Sequence, residues 1–204
     1  MIAKVCGITR AEDAQLAAAL GATALGFIFW PSSPRAISPE RARHIVSELP
    51  TSIVAVGVFV NASREEIERV AAEVGLGAVQ LHGSESPELA RQLTRRVIKA
   101  LPIGLAADDD VLSAWRGTTV LLDADDPVRR GGTGKVVDWD RAAAIARRHE
   151  VMLAGGLTPA NVVEAITRVQ PAGIDVSSGV EVSPGVKDPD KLRAFFEALA
   201  RVEA

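Results

Sequence analysis

The chain has 204 residues, 48% of them hydrophobic, with a formal charge of −3, three histidines and a single cysteine. That fits one globular domain, or two small ones, and leaves no basic footprint for nucleic acid or an anionic membrane, nor an apolar run long enough to span a bilayer. One cysteine cannot close an internal disulfide, which suits the cytoplasm, and the histidines lack metal-ligand spacing.

Ile2 to Cys6 is predicted as a short β-branched strand, broken by Gly7 and followed by a helix from Arg10 or Ala11 to Leu20. Alternation puts Lys4 and Cys6 on one face of that strand and Val5 on the other. Val5 suits packing under a helix; Lys4 and Cys6 do not suit a plain apolar core, so their face is outfitted for chemistry. Ala24 to Phe29 is a second strand, followed by a loop with Ser33, Pro34 and Arg35. Ser38 caps a helix through Leu49 with Pro39 at its first position. Ile53 to Val60 is the third strand, and Ser63 with Glu66 opens the next helix as a capping box. Ala78 to Leu81 is the fourth strand, ending at His82-Gly83; Ser86-Pro87 starts a helix to about Arg95. Val97 to Leu101 is the fifth, with a weakly signalled helix near Asp109 to Trp115.

Val120 to Leu122 is the sixth strand, closed by Asp123. A long loop follows, with Asp125, Asp126, Arg129, Arg130 and the run Gly131-Gly132-Thr133-Gly134. A helix spans Asp138 to Arg148, and Val151 to Ala154 is the seventh strand, ending in Gly155-Gly156. Thr158-Pro159 is read as the cap of a helix to Val169; Gly173 to Val176 is the eighth strand, followed by Ser177-Ser178-Gly179, a polar loop and a last helix from Pro189 to Val202. Eight short apolar strands alternating with helices fit a single closed (β/α)8 barrel over residues 1–204. An open doubly wound sheet is the runner-up, disfavoured because the first βα turn is not a glycine-rich dinucleotide fingerprint.

Such a barrel carries its site at the C-terminal strand ends. The polar residues there are Cys6, Arg35, His82, Asp123, Gly155 with Gly156, and Ser177 with Ser178. Parity pairs Gln80 with His82, Leu121 with Asp123 and Asp175 with Ser177, so each polar end can face the mouth. The glycines and serines after the seventh and eighth strands suit a phosphate held by backbone N–H groups. Gly132 and its neighbours either close over the same group or form a hinge. Cys6 and Asp123 lie on strands that face each other and are the acid–base candidates. A thiol base needs a lowered pKa or an acidified substrate C–H bond. Arg35 is either a bidentate grip for a carboxylate or a solvated loop residue. His82 has at most a supporting role, and Trp30, Trp115 and Trp139 read as packing residues.

These motifs resemble the phosphoribosylanthranilate isomerase family of tryptophan biosynthesis. The matching segments are Lys4-Val5-Cys6-Gly7-Ile8-Thr9, Ser33-Pro34-Arg35, Val79-Gln80-Leu81-His82-Gly83, Leu121-Leu122-Asp123-Ala124, Gly131-Gly132-Thr133-Gly134, Leu153-Ala154-Gly155-Gly156 and Ile174-Asp175-Val176-Ser177-Ser178-Gly179-Val180-Glu181. They run in order across nearly the whole chain. The resemblance implies a cofactor-free Amadori rearrangement of a small sugar phosphate, with Asp123 as general acid and Cys6 as general base. It implies Arg35 at the anthranilate carboxylate, the seventh and eighth loops at the phosphate and, more weakly, Asp175 at the anthranilate end. It leaves monomer or homodimer open. Val137 departs from the aromatic residue that relatives often carry. The rivals are a barrel acting on the histidine-pathway aminoimidazole substrate, which uses an aspartate where this chain has Cys6, and a non-catalytic phosphometabolite-binding barrel.

Overall fold

The computed structural model describes residues 1–124 and 137–203. Eight parallel strands close into a barrel in sequence order, each hydrogen-bonded to its neighbours and the eighth to the first. They are β1 (Ile2–Cys6), β2 (Ala24–Ile28), β3 (Val54–Phe59), β4 (Ala78–Leu81), β5 (Arg96–Pro102), β6 (Thr119–Asp123), β7 (Val151–Leu153) and β8 (Gly173–Val176). The intervening helices are α1 (Ala11–Leu20), α2 (Pro39–Ser47), α3 (Arg64–Val74), α4 (Pro87–Gln92), α5 (Asp109–Ala114), α6 (Trp139–Ala146) and α7 (Val162–Val169), with α8 (Pro189–Glu203) after the last strand.

The boundaries follow local chemistry. The hydroxyls of Ser38, Ser63 and Ser86 accept from the backbone N–H groups of Arg41, Glu66 and Leu89, and Pro39 and Pro87 open their helices. Each cap contributes about 1 kcal/mol. The predicted start of the seventh helix is corrected. Asn161 Oδ1 accepts from Thr158 N and its amide donates to Gly156 O, so Thr158 and Pro159 belong to a turn and α7 begins at Val162. The polar loop after β8 is also more ordered than expected. A 3-10 turn at Ser178–Val180 leads into a short antiparallel hairpin, β9 (Glu181–Ser183) and β10 (Val186–Lys187).

Outward strand residues such as Val5, Leu25, Phe27, Val79 and Leu122 join the helices in the main core. Burying each such side chain contributes about 1.5–3 kcal/mol. Inside the barrel the side chains are smaller. Ala24, Val56 and Ala78 form one cluster and Ala100, Leu121, Met152 and Ala154 another, both touching Ile98. On the same inner face Lys4, Gln80 and Asp175 are buried polar residues. The barrel therefore has an apolar plug with polar side chains toward its C-terminal mouth.

Candidate active site

A cavity of about 370 Å3 opens at the C-terminal strand ends. Cys6, Arg35, His82, Asp123, Gly155, Gly156, Asp175, Ser177 and Ser178 all line it. Gly132 and the charged residues Asp125, Asp126, Arg129 and Arg130 lie outside the described residues.

Cys6 ends β1 and is buried. It sits opposite Gly26 in the β1–β2 ladder. A Cβ on Gly26 would stand 2.7 Å from Cys6 Sγ and 3.2 Å from Lys4 Nζ, so the missing side chain is what gives the thiol and the ammonium their room. Lys4 lies opposite Asp175 in the β1–β8 ladder, and its Nζ donates to Asp175 Oδ2 at 2.9 Å. Burial disfavours the Lys4 ammonium, but Asp175 and then Cys6 outweigh it and hold Lys4 above its usual range. Burial pushes the Cys6 thiol up, and Lys4 and Lys187 oppose this without cancelling it. The resting group is thus a thiol whose anion has a cation close by. Burial also lifts the Asp175 carboxyl against the pull of Lys4, and Asp175 Oδ1 has no partner among the described residues.

Asp123 ends β6. Its Oδ1 accepts from Ala124 N at 2.8 Å, and its Oδ2 lies 3.3 Å from His82 Nε2. The Gln80 amide nitrogen is 2.9 Å from His82 Nδ1. With that nitrogen as donor, Nδ1 accepts and Nε2 carries the proton toward Asp123.

Gly155 and Gly156 both adopt positive φ, at 78° and 69°, a conformation that glycine alone takes readily. A Cβ on Gly155 would come within 2.6 Å of Val137 Cγ2 and 3.1 Å of Asp123 Oδ1. A Cβ on Gly179 would meet Leu157 O at 1.9 Å, so the loop after β8 is seated directly on the loop after β7. These two loops bring glycine backbone, Ser177 and Ser178 to one end of the cavity, a form suited to an anion.

Arg35 is not a solvated loop residue. It is 7% exposed and forms a two-pronged pair with Glu181, also 7% exposed. Nε donates to Oε1 and Oε2 at 2.9 and 3.1 Å, and Nη2 donates to Oε2 at 2.7 Å. Glu181 Oε1 also accepts from Lys187 Nζ at 2.9 Å, and that ammonium donates to Cys6 O at 2.6 Å. Burial pushes the Glu181 carboxyl up, yet Arg35 and Lys187 together hold it below the usual carboxylate range. Sequence reasoning gave Glu181 and Lys187 no role, and it took Gly26 for an ordinary strand residue. Trp30, expected to be a packing residue, lines the cavity wall.

Among the described residues no group of three or more His, Cys, Asp or Glu could hold a metal ion, and no helix is long and apolar enough to cross a membrane.

Residues 3–198 match the family model described as N-(5'phosphoribosyl)anthranilate (PRA) isomerase. A curated N-(5'-phosphoribosyl)anthranilate isomerase from Citrifermentans bemidjiense is 48% identical over 199 residues, covering 98% of this chain and 97% of that protein. The crystal structure of phosphoribosyl anthranilate isomerase from Thermus thermophilus superposes with a TM-score of 0.91 at 42% identity, covering 99% of this chain and 100% of that one. A phosphoribosyl anthranilate isomerase solved in complex with reduced 1-(o-carboxyphenylamino)-1-deoxyribulose 5-phosphate superposes with a TM-score of 0.87 at 42% identity, covering 98% and 100% of the two chains.

Proposed function

The chain belongs to the N-(5'-phosphoribosyl)anthranilate isomerase family, and from that premise we propose that its barrel mouth works with Asp123 as general acid and Cys6 as general base. The reaction is the Amadori rearrangement of N-(5-phosphoribosyl)anthranilate to 1-(2-carboxyphenylamino)-1-deoxyribulose 5-phosphate, a step of tryptophan biosynthesis.

The observation that carries the residue roles is the shared cavity. Cys6 from β1 and Asp123 from β6 line it together, with Gly155, Gly156, Ser177 and Ser178 at its margin. In the reading we favour, the backbone N–H groups of those loops hold the phosphate, as anion-binding turns do. Arg35 takes the anthranilate carboxylate, and Asp175 lines the anthranilate end. Asp123 gives a proton to the ribose ring oxygen as the C1–O bond breaks, and the amine lone pair completes an iminium. The iminium acidifies the C2–H bond. Cys6, its own proton first passed to solvent, takes that proton as the thiolate, and the electron pair moves to C1–C2 as the iminium nitrogen regains its lone pair. The resulting enol becomes the ketone by losing the C2 hydroxyl proton and gaining one at C1, so no atom is gained or lost. Lys4 supports the thiolate while it forms. His82, with Nε2 3.3 Å from Asp123 Oδ2, holds the Asp123 carboxyl in place.

We take the catalytic unit to be one barrel over residues 1–204, acting in the cytoplasm on a small-molecule substrate as a monomer or homodimer. The test is to incubate the protein with freshly made substrate in deuterated buffer, with no added metal or cofactor. Conversion with solvent deuterium at the former sugar C1 is expected. Cys6→Ala and Asp123→Asn are expected to bind the reduced product while losing turnover by about 100-fold or more. Wild-type activity in either variant would overturn the assignment of roles.

A further inference from the structure

We propose that Glu181 is a positioning residue, one that turns the Arg35 guanidinium so that only its outer Nη1–Nη2 edge is offered to the substrate carboxylate. This deepens the reading above and rests on Arg35 meeting that carboxylate.

A guanidinium has five N–H groups in one plane. Glu181 occupies the inner edge, taking Nε–H and one hydrogen of Nη2. Among the described residues Nη1 makes no hydrogen bond, although Arg35 lines the cavity. Of the three N–H groups that remain, one on Nη1 and one on Nη2 lie parallel, the geometry that grips a planar carboxylate with two bonds.

Neither partner has room to swing. A Cβ on Gly7 would stand 2.6 Å from Arg35 Cδ, so the arginine stem lies against the turn that follows Cys6. Glu181 Oε1 is held from the other side by Lys187 Nζ at 2.9 Å and Gly185 N at 3.3 Å. Through Lys187 the same network reaches the Cys6 carbonyl. The grip on the substrate and the base that attacks it are therefore tied into one buried unit. A carboxylate lying in the guanidinium plane fixes the aromatic ring that bears it. The ring's ortho nitrogen then fixes where sugar C1 and C2 stand relative to Cys6.

The experiment measures, by calorimetry on the full chain, binding of the reduced product and of its counterpart lacking the ortho carboxylate. The wild-type protein is expected to favour the carboxylate form by about 100-fold, as a two-bond charge-assisted contact allows. Glu181→Gln places an NH2 against Arg35 or Lys187, and the preference is expected to fall to about tenfold or less. Binding of the form without carboxylate should stay within about twofold. In turnover kcat should fall as well as KM rise, because the ring no longer fixes sugar C1 and C2 against Cys6, and Glu181→Asp, which keeps the charge, should lie between wild type and Glu181→Gln. An unchanged preference, or equal weakening of both ligands, would overturn the proposal, the latter by reducing Glu181 to a structural role. A wild-type protein that shows no preference would instead refute the Arg35 contact, and one without isomerase activity would refute the roles given to Cys6 and Asp123.

Discussion

Substituting Gly26 by alanine asks whether space, rather than backbone freedom, is what this position supplies. The added Cβ would stand 2.7 Å from Cys6 Sγ, 3.1 Å from Cys6 Cα and 3.2 Å from Lys4 Nζ. Ordinary van der Waals contact begins at 3.4 Å, so the sulfur must retreat by about 0.7 Å, while the Cα is strand backbone and yields little. Overpacking of this kind costs roughly 1–3 kcal/mol of stability. Moving a reacting group by close to 1 Å lowers a rate by up to about 100-fold. Gly26→Ala is therefore expected to lose about 10- to 100-fold in kcat and to unfold at lower temperature. Initial rates and thermal unfolding on the same preparations check both parts. Gly75→Ala is the control. Its φ of +79° strains an alanine, but no atom lies within 4 Å of the new Cβ. It should lose about 1 kcal/mol of stability and no activity. Wild-type turnover in Gly26→Ala, or equal loss of activity in Gly75→Ala, would refute the reasoning.

In the proposed mechanism the base is the Cys6 thiolate, and burial holds the thiol above its ordinary range. kcat/KM should therefore rise with pH through and beyond the ordinary thiol range, and Lys4→Met should move that limb higher still; a wild-type limb below the ordinary thiol pKa would contradict this. Gly179→Ala drives a Cβ into Leu157 O, so it should unseat the loop after β8 and raise KM by about tenfold or more, measured against a kcat that changes less. Glu85 pairs with Lys99 at 2.8 Å, both buried; burial pushes its carboxyl up, but Lys99 and the backbone donors hold it below the usual range. A folded-state pKa below the unfolded one contributes stability that is present above the ordinary carboxylate range and lost as pH falls through the folded value. Glu85→Gln should lower stability by roughly 3 kcal/mol at neutral pH, with a correspondingly shallower acid loss in denaturant titrations.

The architecture could be read from the sequence because strand, cap and helix signals repeat in phase. Ser38, Ser63 and Ser86 mark helix starts that the structure keeps. Side-chain parity puts Cys6, His82, Asp123, Asp175 and Ser177 on the cavity side. What escaped depends on contacts distant in sequence. Glu181 meets Arg35 across 146 positions, from a hairpin whose strands are three and two residues long, too short to leave a periodic trace. Gly26 reads as one more residue of a buried run; its importance shows only once the register places it opposite Cys6. The start of α7 differs from the sequence expectation because Thr158-Pro159 has the form of a cap, whereas the Asn161 side chain satisfies that backbone first.

The closed ring of strands has a consequence for how the molecule can be altered. Cys6, Asp123 and Asp175 each hang from a strand bonded on both sides, so a spacing such as that from Cys6 to Asp123 is set by the whole hoop and not by the covalent path between them. The turns that return the chain from helix to strand, at Gly21 and Gly75 for example, line no part of the cavity. The order in which the strands are threaded is thus separable from the chemistry they present. A chain rejoined elsewhere and opened at one of those returning turns would still assemble the same rim.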